Sequence, residues 1–209
     1  MYDFYDFFVC THLPRNEWHH GVNSINILDK KREEERAMAI FTFNGKTPQV
    51  GEGTWIASSA EIIGDVRIGK NCWIGPCSVL RGDFGTIIIG DETAVEDGVV
   101  IHTPSMITIG KQVTIGHLAM VHNSIIKDYA VIGMNSTLGD NAQVGEWSIV
   151  AEHSLIKKNQ IVPDYKLYAG SPAVEKGDIT QTYKDVMQAG KLMYVELVKQ
   201  YRSTLKKID

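Results

Sequence analysis

Residues 126–150, IKDYAVIGMNSTLGDNAQVGEWSIV, decide the fold of this chain of 209 residues. Every sixth position of this stretch is aliphatic: Ile126, Ile132, Leu138, Val144 and Val150. A period of six is neither the 3.6-residue repeat of an α-helix nor the two-residue alternation of an ordinary strand. It is typical of a parallel β-helix, in which each hexad forms a short strand and a corner.

The same six-residue repeat runs through most of the chain, and its spacing changes at only three places. We call the aliphatic residue that recurs in each hexad the beat residue, or beat. The nineteen beat residues are Ile56, Ile62, Ile68, Ile74, Leu80, Ile89, Val95, Ile101, Ile109, Ile115, Val121, Ile126, Ile132, Leu138, Val144, Val150, Ile156, Val162 and Tyr168. A coincidental period within a β-sandwich is the alternative. So long a run favours the β-helix.

Three hexads make one triangular coil, so this run predicts about six coils, stacked through parallel backbone hydrogen bonds. The beat residues would fill the interior as aliphatic ladders. Three extra residues follow Leu80, two follow Ile101, and one residue is missing before Ile126. We therefore predict an all-β fold, a parallel β-helix of hexapeptide repeats over residues 38–175.

The N-terminal segment does not share the beat. Residues 1–37 are first aromatic and acidic and then densely charged, and we predict that they form an extension outside the core. His12, His19 and His20 could be interpreted as a second metal cluster. Nothing in their spacing fixes a common geometry, which argues against that interpretation.

The C-terminal segment changes period. From Thr180 to Lys206 apolar residues recur at spacings of three or four, which predicts an amphipathic helix with a weak point at Gly190. Residues 176–209 are therefore expected to form a C-terminal helix packed on the β-helix.

Composition restricts the classes of partner. The formal net charge is −4, which gives no electrostatic reason to expect nucleic acid or an anionic membrane. No apolar run approaches the ~20 residues of a membrane span. Three irregularly spaced cysteines predict no disulfide framework, which favours a reducing compartment and a cytoplasmic protein.

Histidines cluster within the repeat. His102 and His122 follow beat residues that are three beats apart, so the two side chains should stack on neighbouring coils at about 4.8 Å, next to Arg81. His117 follows a beat of the preceding face, which also carries Glu96. A face of six residues is roughly 15–20 Å wide at ~3.3 Å per residue, so His117 cannot share a metal ion with the other two histidines of its own chain.

A shared ion would need a second subunit. Imidazole nitrogens ligate zinc at about 2.0–2.1 Å, and closed threefold symmetry would bring His117 of one chain to His102 and His122 of the next. Three neutral imidazoles leave one open position on a tetrahedral ion, which is a catalytic pattern. Solvated surface histidines are the alternative interpretation.

These residues resemble the γ-class carbonic anhydrases and their hexapeptide-repeat relatives. The matching segments are Leu80-Arg81-Gly82-Asp83, Val95-Glu96-Asp97-Gly98-Val99-Val100-Ile101-His102, Gly116-His117 and Val121-His122. The resemblance extends from about Phe41 to the C-terminus. It implies a left-handed β-helix, a homotrimer, and zinc (with iron or cobalt as alternatives) held by His102 and His122 of one chain and His117 of its neighbour.

The resemblance also implies roles for other residues. Arg81 and Asp83 are similar to the family's inter-subunit ion pair beside the metal. Asp97 matches an acidic residue of that site, and Tyr194 resembles a tyrosine that the C-terminal helix delivers to it. Glu96 departs from the family, which commonly has glutamine there.

A second departure is the short stretch Phe84-Gly85-Thr86, where the family prototype carries an acidic loop with a glutamate proton shuttle. The first functional hypothesis is reversible CO2 hydration, in which Arg81 holds bicarbonate and Glu96 or Asp97 relays the proton. The second is acyl-CoA chemistry, as a thioesterase or acyltransferase on the same scaffold. The third is a metal-bound assembly scaffold without catalysis.

Overall fold

The computed structural model describes residues 39–208. The predicted extension over residues 1–37, with its three histidines, lies outside the described residues. The described elements are β1 (Ala39–Phe41), β2 (Gln49–Val50), β3 (Trp55–Ile56), β4 (Glu61–Ile68), β5 (Trp73–Ile74), β6 (Val79–Ile89), β7 (Ala94–Val95), β8 (Val100–His102), β9 (Met106–Ile109), β10 (Thr114–Ile115), β11 (Met120–His122), β12 (Ile125–Ile126), β13 (Val131–Ile132), β14 (Thr137–Leu138), β15 (Gln143–Val144), β16 (Ile149–Val150), β17 (Leu155–Ile156), β18 (Ile161–Val162), β19 (Lys166–Gly170), β20 (Ala173–Asp178) and α1 (Gln181–Thr204).

The strands form a parallel β-solenoid of about seven turns, which confirms the predicted hexapeptide β-helix. Strands that are three apart in the chain pair in register, as in the order β7-β10-β13-β16. Ile115, for example, lies beside Ile132 of the next turn. The hairpin of β19 and β20 departs from this pattern, because its two strands pair antiparallel at the C-terminal end of the solenoid.

The solenoid has about seven turns rather than the predicted six because it begins before Ile56. In β2, Val50 pairs with Ile68, and Val50 stands six residues before Ile56, so it extends the beat by one position. In β1, Ile40 pairs with Ile62 although it lies outside the six-residue spacing.

The beat residues form the interior. All of those from Ile56 to Val162 are at most 8% exposed, and most are fully buried. Fully burying one such side chain contributes roughly 1.5–3 kcal/mol, so the stacked ladders are the main source of stability. The small residues between beats are buried as well: Ser78 satisfies its hydroxyl by donating to the Gly75 carbonyl at 2.8 Å.

The insertion after Leu80 changes the outline of one corner. Strand β6 continues for 11 residues around it, with Ile87 and Ile89 both buried, and its pairing with β4 shifts register between Gly64 and Val66. Gly85 is required here because a Cβ atom would collide with the Ser105 carbonyl. The extra residues therefore place Asp83 at the corner where His102 ends β8.

Helix α1 confirms the predicted C-terminal helix. Thr180 caps it by accepting the backbone N–H of Tyr183, and the helix continues unbroken through Gly190. Its C-terminal half covers the sheet through Val198 and Tyr201, which pack on Trp73. No helix within the described residues has the length and apolar character of a membrane span.

A second contact fixes the first turn of α1. Tyr129 and Trp147 stack with their ring centroids 4.5 Å apart on successive turns of the solenoid. Lys184 of α1 lies 5.7 Å from the Trp147 ring and 4.3 Å from the ring of Tyr165. Cation–π contacts of this kind stabilise by about 0.5–2 kcal/mol each, so both ends of the helix are held on the solenoid.

Lys191 lies in the middle of α1 on the side that faces the solenoid, and it is only 2% exposed. Its ammonium donates to the Ala130 carbonyl at 3.4 Å, and burial lowers its pKa to about 8. The folded protein therefore binds this proton less tightly than the unfolded chain, whose lysine keeps the ordinary value near 10.5. The buried charge opposes folding below pH 8, and this opposition fades as the pH rises from 8 towards 10.5.

We expect Lys191→Met to raise the free energy of unfolding at pH 7 by roughly 2–4 kcal/mol, because the substitution removes the buried charge. The Ala130 carbonyl stays satisfied by the Thr114 N–H. Chemical denaturation at pH 7 and pH 9.5 measures the effect, and the difference from wild type should shrink at the higher pH. Lys199→Met, an exposed lysine of the same helix, is the control and should change little at either pH.

Candidate metal centre

His102 and His122 end two neighbouring strands of one sheet. Strands β8 and β11 pair in parallel with His102 directly opposite His122, and the two ring centroids are 5.3 Å apart. Arg81 of β6 occupies the same position one turn earlier, opposite His102. The in-register stacking of successive turns thus brings these three side chains into one column.

The Asp83 carboxylate lies between Arg81 and His102. It accepts a hydrogen bond from the Arg81 guanidinium and from the Phe84 backbone N–H, and its Oδ1 lies 3.2 Å from Nε2 of His102. Burial opposes the charged form of Asp83, but these hydrogen bonds and the Arg81 charge outweigh it and hold the pKa of the carboxyl below its usual value. The Arg81–Asp83 ion pair forms within one chain, and the pair between subunits that the family resemblance implies stays a prediction.

His122 has its own carboxylate, which the sequence had not indicated. Nδ1 of His122 lies 2.6 Å from Oδ1 of Asp140, on the next turn of the solenoid. Asp140 follows His122 by eighteen residues, and that spacing of one turn is the signal that could have identified it. We call Arg81, Asp83, His102, His122 and Asp140 the His102 set.

His117 lies in the turn that follows β10, a strand of the other sheet. Its Nε2 is 3.1 Å from Oε2 of Glu96, and its Nδ1 is 3.6 Å from Oδ2 of Asp97, one turn earlier. The same Glu96 oxygen accepts the His117 backbone N–H at 3.0 Å. Asp97 is about half exposed, whereas Glu96 is buried, so only Asp97 has free access to solvent.

Tyr194 brings α1 to this second group. Burial raises its pKa above the ordinary value for tyrosine, and the hydrogen bond to Glu96 and the negative charges of Glu96 and Asp97 raise it further. Tyr194 therefore stays protonated and donates to Glu96. We call Glu96, Asp97, His117 and Tyr194 the His117 set.

The two sets are separate in one chain. Among residues 39–208, no three histidine, cysteine or carboxylate side chains of one chain are grouped so that they could hold a metal ion. The chain thus offers two imidazoles on one sheet and a third in the turn after β10.

Apolar side chains are exposed beside both sets. Leu118 directly follows His117 and is 65% exposed, and Met134 lies near it on the next turn at 47%. Met120 shares β11 with His122, and Phe84 next to Asp83 is 74% exposed. Large apolar side chains concentrated around polar groups are typical of a surface that another protein covers.

The donor set suits a metal ion such as zinc. Neutral imidazoles are its common nitrogen ligands, and ligating histidines usually hold their second ring nitrogen against a carboxylate or carbonyl. One ring nitrogen of His102 lies against Asp83, and one ring nitrogen of His122 lies against Asp140. At His117 both ring nitrogens have a carboxylate nearby, Glu96 at Nε2 and Asp97 at Nδ1.

Comparison with known proteins agrees with the hexapeptide-repeat fold. The family model described as "Bacterial transferase hexapeptide (six repeats)" matches residues 47–82 and 123–158. The mitochondrial gamma carbonic anhydrase 1 of Arabidopsis thaliana is 35% identical over 151 residues, which cover 68% of this chain and 55% of that protein. The carnitine operon protein CaiE of Escherichia coli O157:H7 is 37% identical over 101 residues, 47% of this chain and 52% of CaiE.

A solved structure is similar over most of its length. The crystal structure of a hexapeptide transferase family protein from Anaplasma phagocytophilum has 37% sequence identity and a TM-score of 0.76, and the match covers 78% of this chain and 98% of that one. By contrast, this chain spans about half the length of the curated relatives it matches.

The Glu96–Tyr194 contact can be tested by a double-mutant cycle. We expect Glu96→Ala to lower the free energy of unfolding by about 1–3 kcal/mol, because the partly buried N–H of His117 and the Tyr194 hydroxyl lose their acceptor. Glu96→Ala combined with Tyr194→Phe should show a coupling of about 1–2 kcal/mol in chemical denaturation. Glu152→Ala, an exposed glutamate, is the control; additive losses at Glu96 and Tyr194 would contradict the hydrogen bond.

Proposed function

Since the chain belongs to the hexapeptide-repeat family, we propose that it is a metal-dependent enzyme that interconverts CO2 and bicarbonate at sites shared between the subunits of a homotrimer. The relatives named gamma carbonic anhydrase support this reaction. The observation that carries the proposal is the in-register pair of His102 and His122, with His117 of the same chain apart from them in the turn after β10.

The shared site follows from that separation. A third imidazole can join His102 and His122 only if another copy of the chain supplies it, and a closed ring of three copies would make three equivalent sites. Leu118 and Met134 beside His117, and Phe84 and Met120 beside the other two histidines, supply apolar surface on both sides of such an interface.

In this proposal His102 and His122 of one chain and His117 of its neighbour ligate the metal, with zinc as the expected ion and iron or cobalt as alternatives. A zinc ion held by three neutral imidazoles acts as a Lewis acid that makes water a nucleophile near neutral pH. Asp83 and Asp140 orient the two imidazoles of the His102 set. Glu96 and Tyr194 hold His117 from the other side.

Two residues have direct roles towards the substrate. Arg81 uses one N–H on Asp83 and retains further guanidinium donors, which can bind the bicarbonate oxygens. Hydration of CO2 releases one proton for each bicarbonate formed, and this proton must reach solvent. Asp97 is the exposed carboxylate beside His117, so we assign the relay to Asp97 rather than to the buried Glu96.

The second candidate function is acyl-CoA chemistry, as an acyltransferase or thioesterase. The matched family and the similar Anaplasma phagocytophilum protein are both named as transferases, which favours this candidate. Such a reaction needs one histidine as general base rather than three imidazoles around an ion. The orienting carboxylates on all three histidines favour the metal-dependent reaction.

A mixed-trimer experiment tests the shared site. His102→Ala and His117→Ala should each abolish most metal binding without unfolding the protein, because the aliphatic interior does not use these side chains. When the two variants are expressed together and assemble at random, each mixed trimer should regain one complete site. The expected metal content is about one quarter of the wild-type value by elemental analysis.

The control for this experiment is a mixture of His102→Ala with His122→Ala. Both substitutions damage the same set, so no pairing of these subunits restores a site. Equal metal content in the two mixtures would refute sharing between subunits, as would a metal-loaded monomer in analytical ultracentrifugation.

Activity assays separate the candidate functions. We expect CO2 hydration that a chelator abolishes and added zinc restores, and a panel of acyl-CoA thioesters that is not turned over. Asp97→Asn should lower kcat more than kcat/KM, and a small imidazole buffer should restore part of the loss, because buffer replaces the relay. Chelator-resistant thioester turnover would establish the second function, and metal binding without either activity would indicate a scaffold.

A further inference from the structure

Asp140 differs from most of the aspartates at the same position of the hexad. The exception is Asp97, which stands opposite Pro76, a residue without an N–H, and lies beside His117. Three aspartates stand two residues after a beat and accept the backbone N–H of the equivalent residue one turn earlier. These pairs are Asp91 with Lys70 at 2.7 Å, Asp128 with Lys111 at 3.0 Å and Asp164 with Glu146 at 2.8 Å. Asp140 is also two residues after a beat, Leu138, but its carboxylate lies 2.6 Å from the His122 ring.

The missing residue before Ile126 explains this difference. Asn123 and Asn141 both adopt positive φ and are hydrogen bonded to each other, so they are equivalent corner residues on successive turns. His122 directly precedes Asn123 and Asp140 directly precedes Asn141, so His122 and Asp140 lie opposite each other on successive turns. The shortened hexad has no separate residue whose N–H would engage the Asp140 carboxylate, so the carboxylate is free to bind the imidazole.

We propose that Asp140 is the positioning residue of His122: it accepts the proton on Nδ1, fixes the Nδ1–H tautomer and leaves the Nε2 lone pair free to ligate a metal ion. The 2.6 Å separation is typical of a short hydrogen bond to a charged acceptor. A neutral imidazole has one N–H donor and one acceptor nitrogen, so binding one nitrogen to a carboxylate decides which one is free. The metal part of this inference rests on the proposed function.

The shortened corner makes this arrangement specific to His122. His102 lies next to Asp83, which is also engaged by Arg81 and the Phe84 N–H, so its charge is shared among several donors. Asp140 accepts from His122 and is otherwise partly exposed. A carboxylate with fewer competing donors is more available to orient its imidazole, and carboxylates that orient ligating histidines strengthen metal binding.

The test compares Asp140→Asn with Asp128→Asn. Both substitutions remove one charge at the same hexad position, but Asp128 is paired with Lys111 rather than with a histidine. Competition with a chromophoric chelator measures the affinity of each trimer for Zn2+ and Co2+. Asp140→Asn should bind either ion about 10- to 100-fold more weakly, and Asp128→Asn should match wild type.

Nitrogen-15 NMR of histidine-labelled, metal-free protein measures the tautomer independently of metal and of activity. The His122 signal, assigned by its loss in His122→Gln, should be that of an Nδ1–H imidazole in wild type and a mixture of tautomers in Asp140→Asn. An Nε2–H tautomer in wild type, or an unchanged tautomer and metal affinity in Asp140→Asn, would overturn the inference. An Nδ1–H tautomer in a wild-type protein that binds no metal would support the assignment of Asp140 and refute the proposed function.

Discussion

The in-register pairing of successive turns is the constraint on which the rest of the structure depends. Leu80, Ile101 and Val121 lie directly over one another, so any two residues one turn apart stack at about 4.8 Å. The interior is filled with aliphatic side chains, and the small polar side chains buried beside them, such as Ser78, are hydrogen bonded to the backbone. Chemistry is therefore confined to outward positions just after the beat, and His102 and His122 occupy two such positions.

In such a register, the alignment of side chains on successive turns changes only where a hexad gains or loses residues. The insertion after Leu80 carries Asp83 outward to the ring of His102. The deletion before Ile126 brings His122 over Asp140. The two histidines of one sheet thus obtain their carboxylates by opposite changes of length. At Asp91, Asp128 and Asp164 the equivalent aspartate binds backbone instead.

The sequence predicted the interior because a solenoid's register is set by its hydrophobic period. Every aliphatic beat residue is buried, and the column of His102 and His122 follows from counting beats. Counting one turn could also have identified Asp140 beside His122, but the contacts of Asp83 and Glu96 depend on corner geometry and side-chain rotamers. Glu96 was one of two residues expected to relay the proton, and its burial against the His117 backbone and Tyr194 was not visible in the sequence.

The six-residue period does not predict where α1 packs on the solenoid, but two tryptophans indicate the place. Trp55 and Trp73 immediately precede beat residues, so their side chains point outward from the solenoid. Trp73 is nonetheless 5% exposed because Tyr194, Val198 and Tyr201 of α1 cover it. Two large aromatic residues stacked on an outer face indicate that something apolar packs there, and α1 is the element that does so.

Charge links the proposed metal to the proposed assembly. The His102 set carries Asp83 and Asp140 against Arg81, and the His117 set carries Glu96 and Asp97, so joining them gathers four carboxylates and one guanidinium, a formal charge of −3 with neutral imidazoles. Like charges at a partly buried interface oppose association. A divalent cation reduces the charge to −1, and an ion that binds only the joined sets stabilises the assembly by mass action. In a shared centre, metal loading and trimer formation are therefore one coupled equilibrium, and the surplus of carboxylates that orients the histidines also makes the cation necessary.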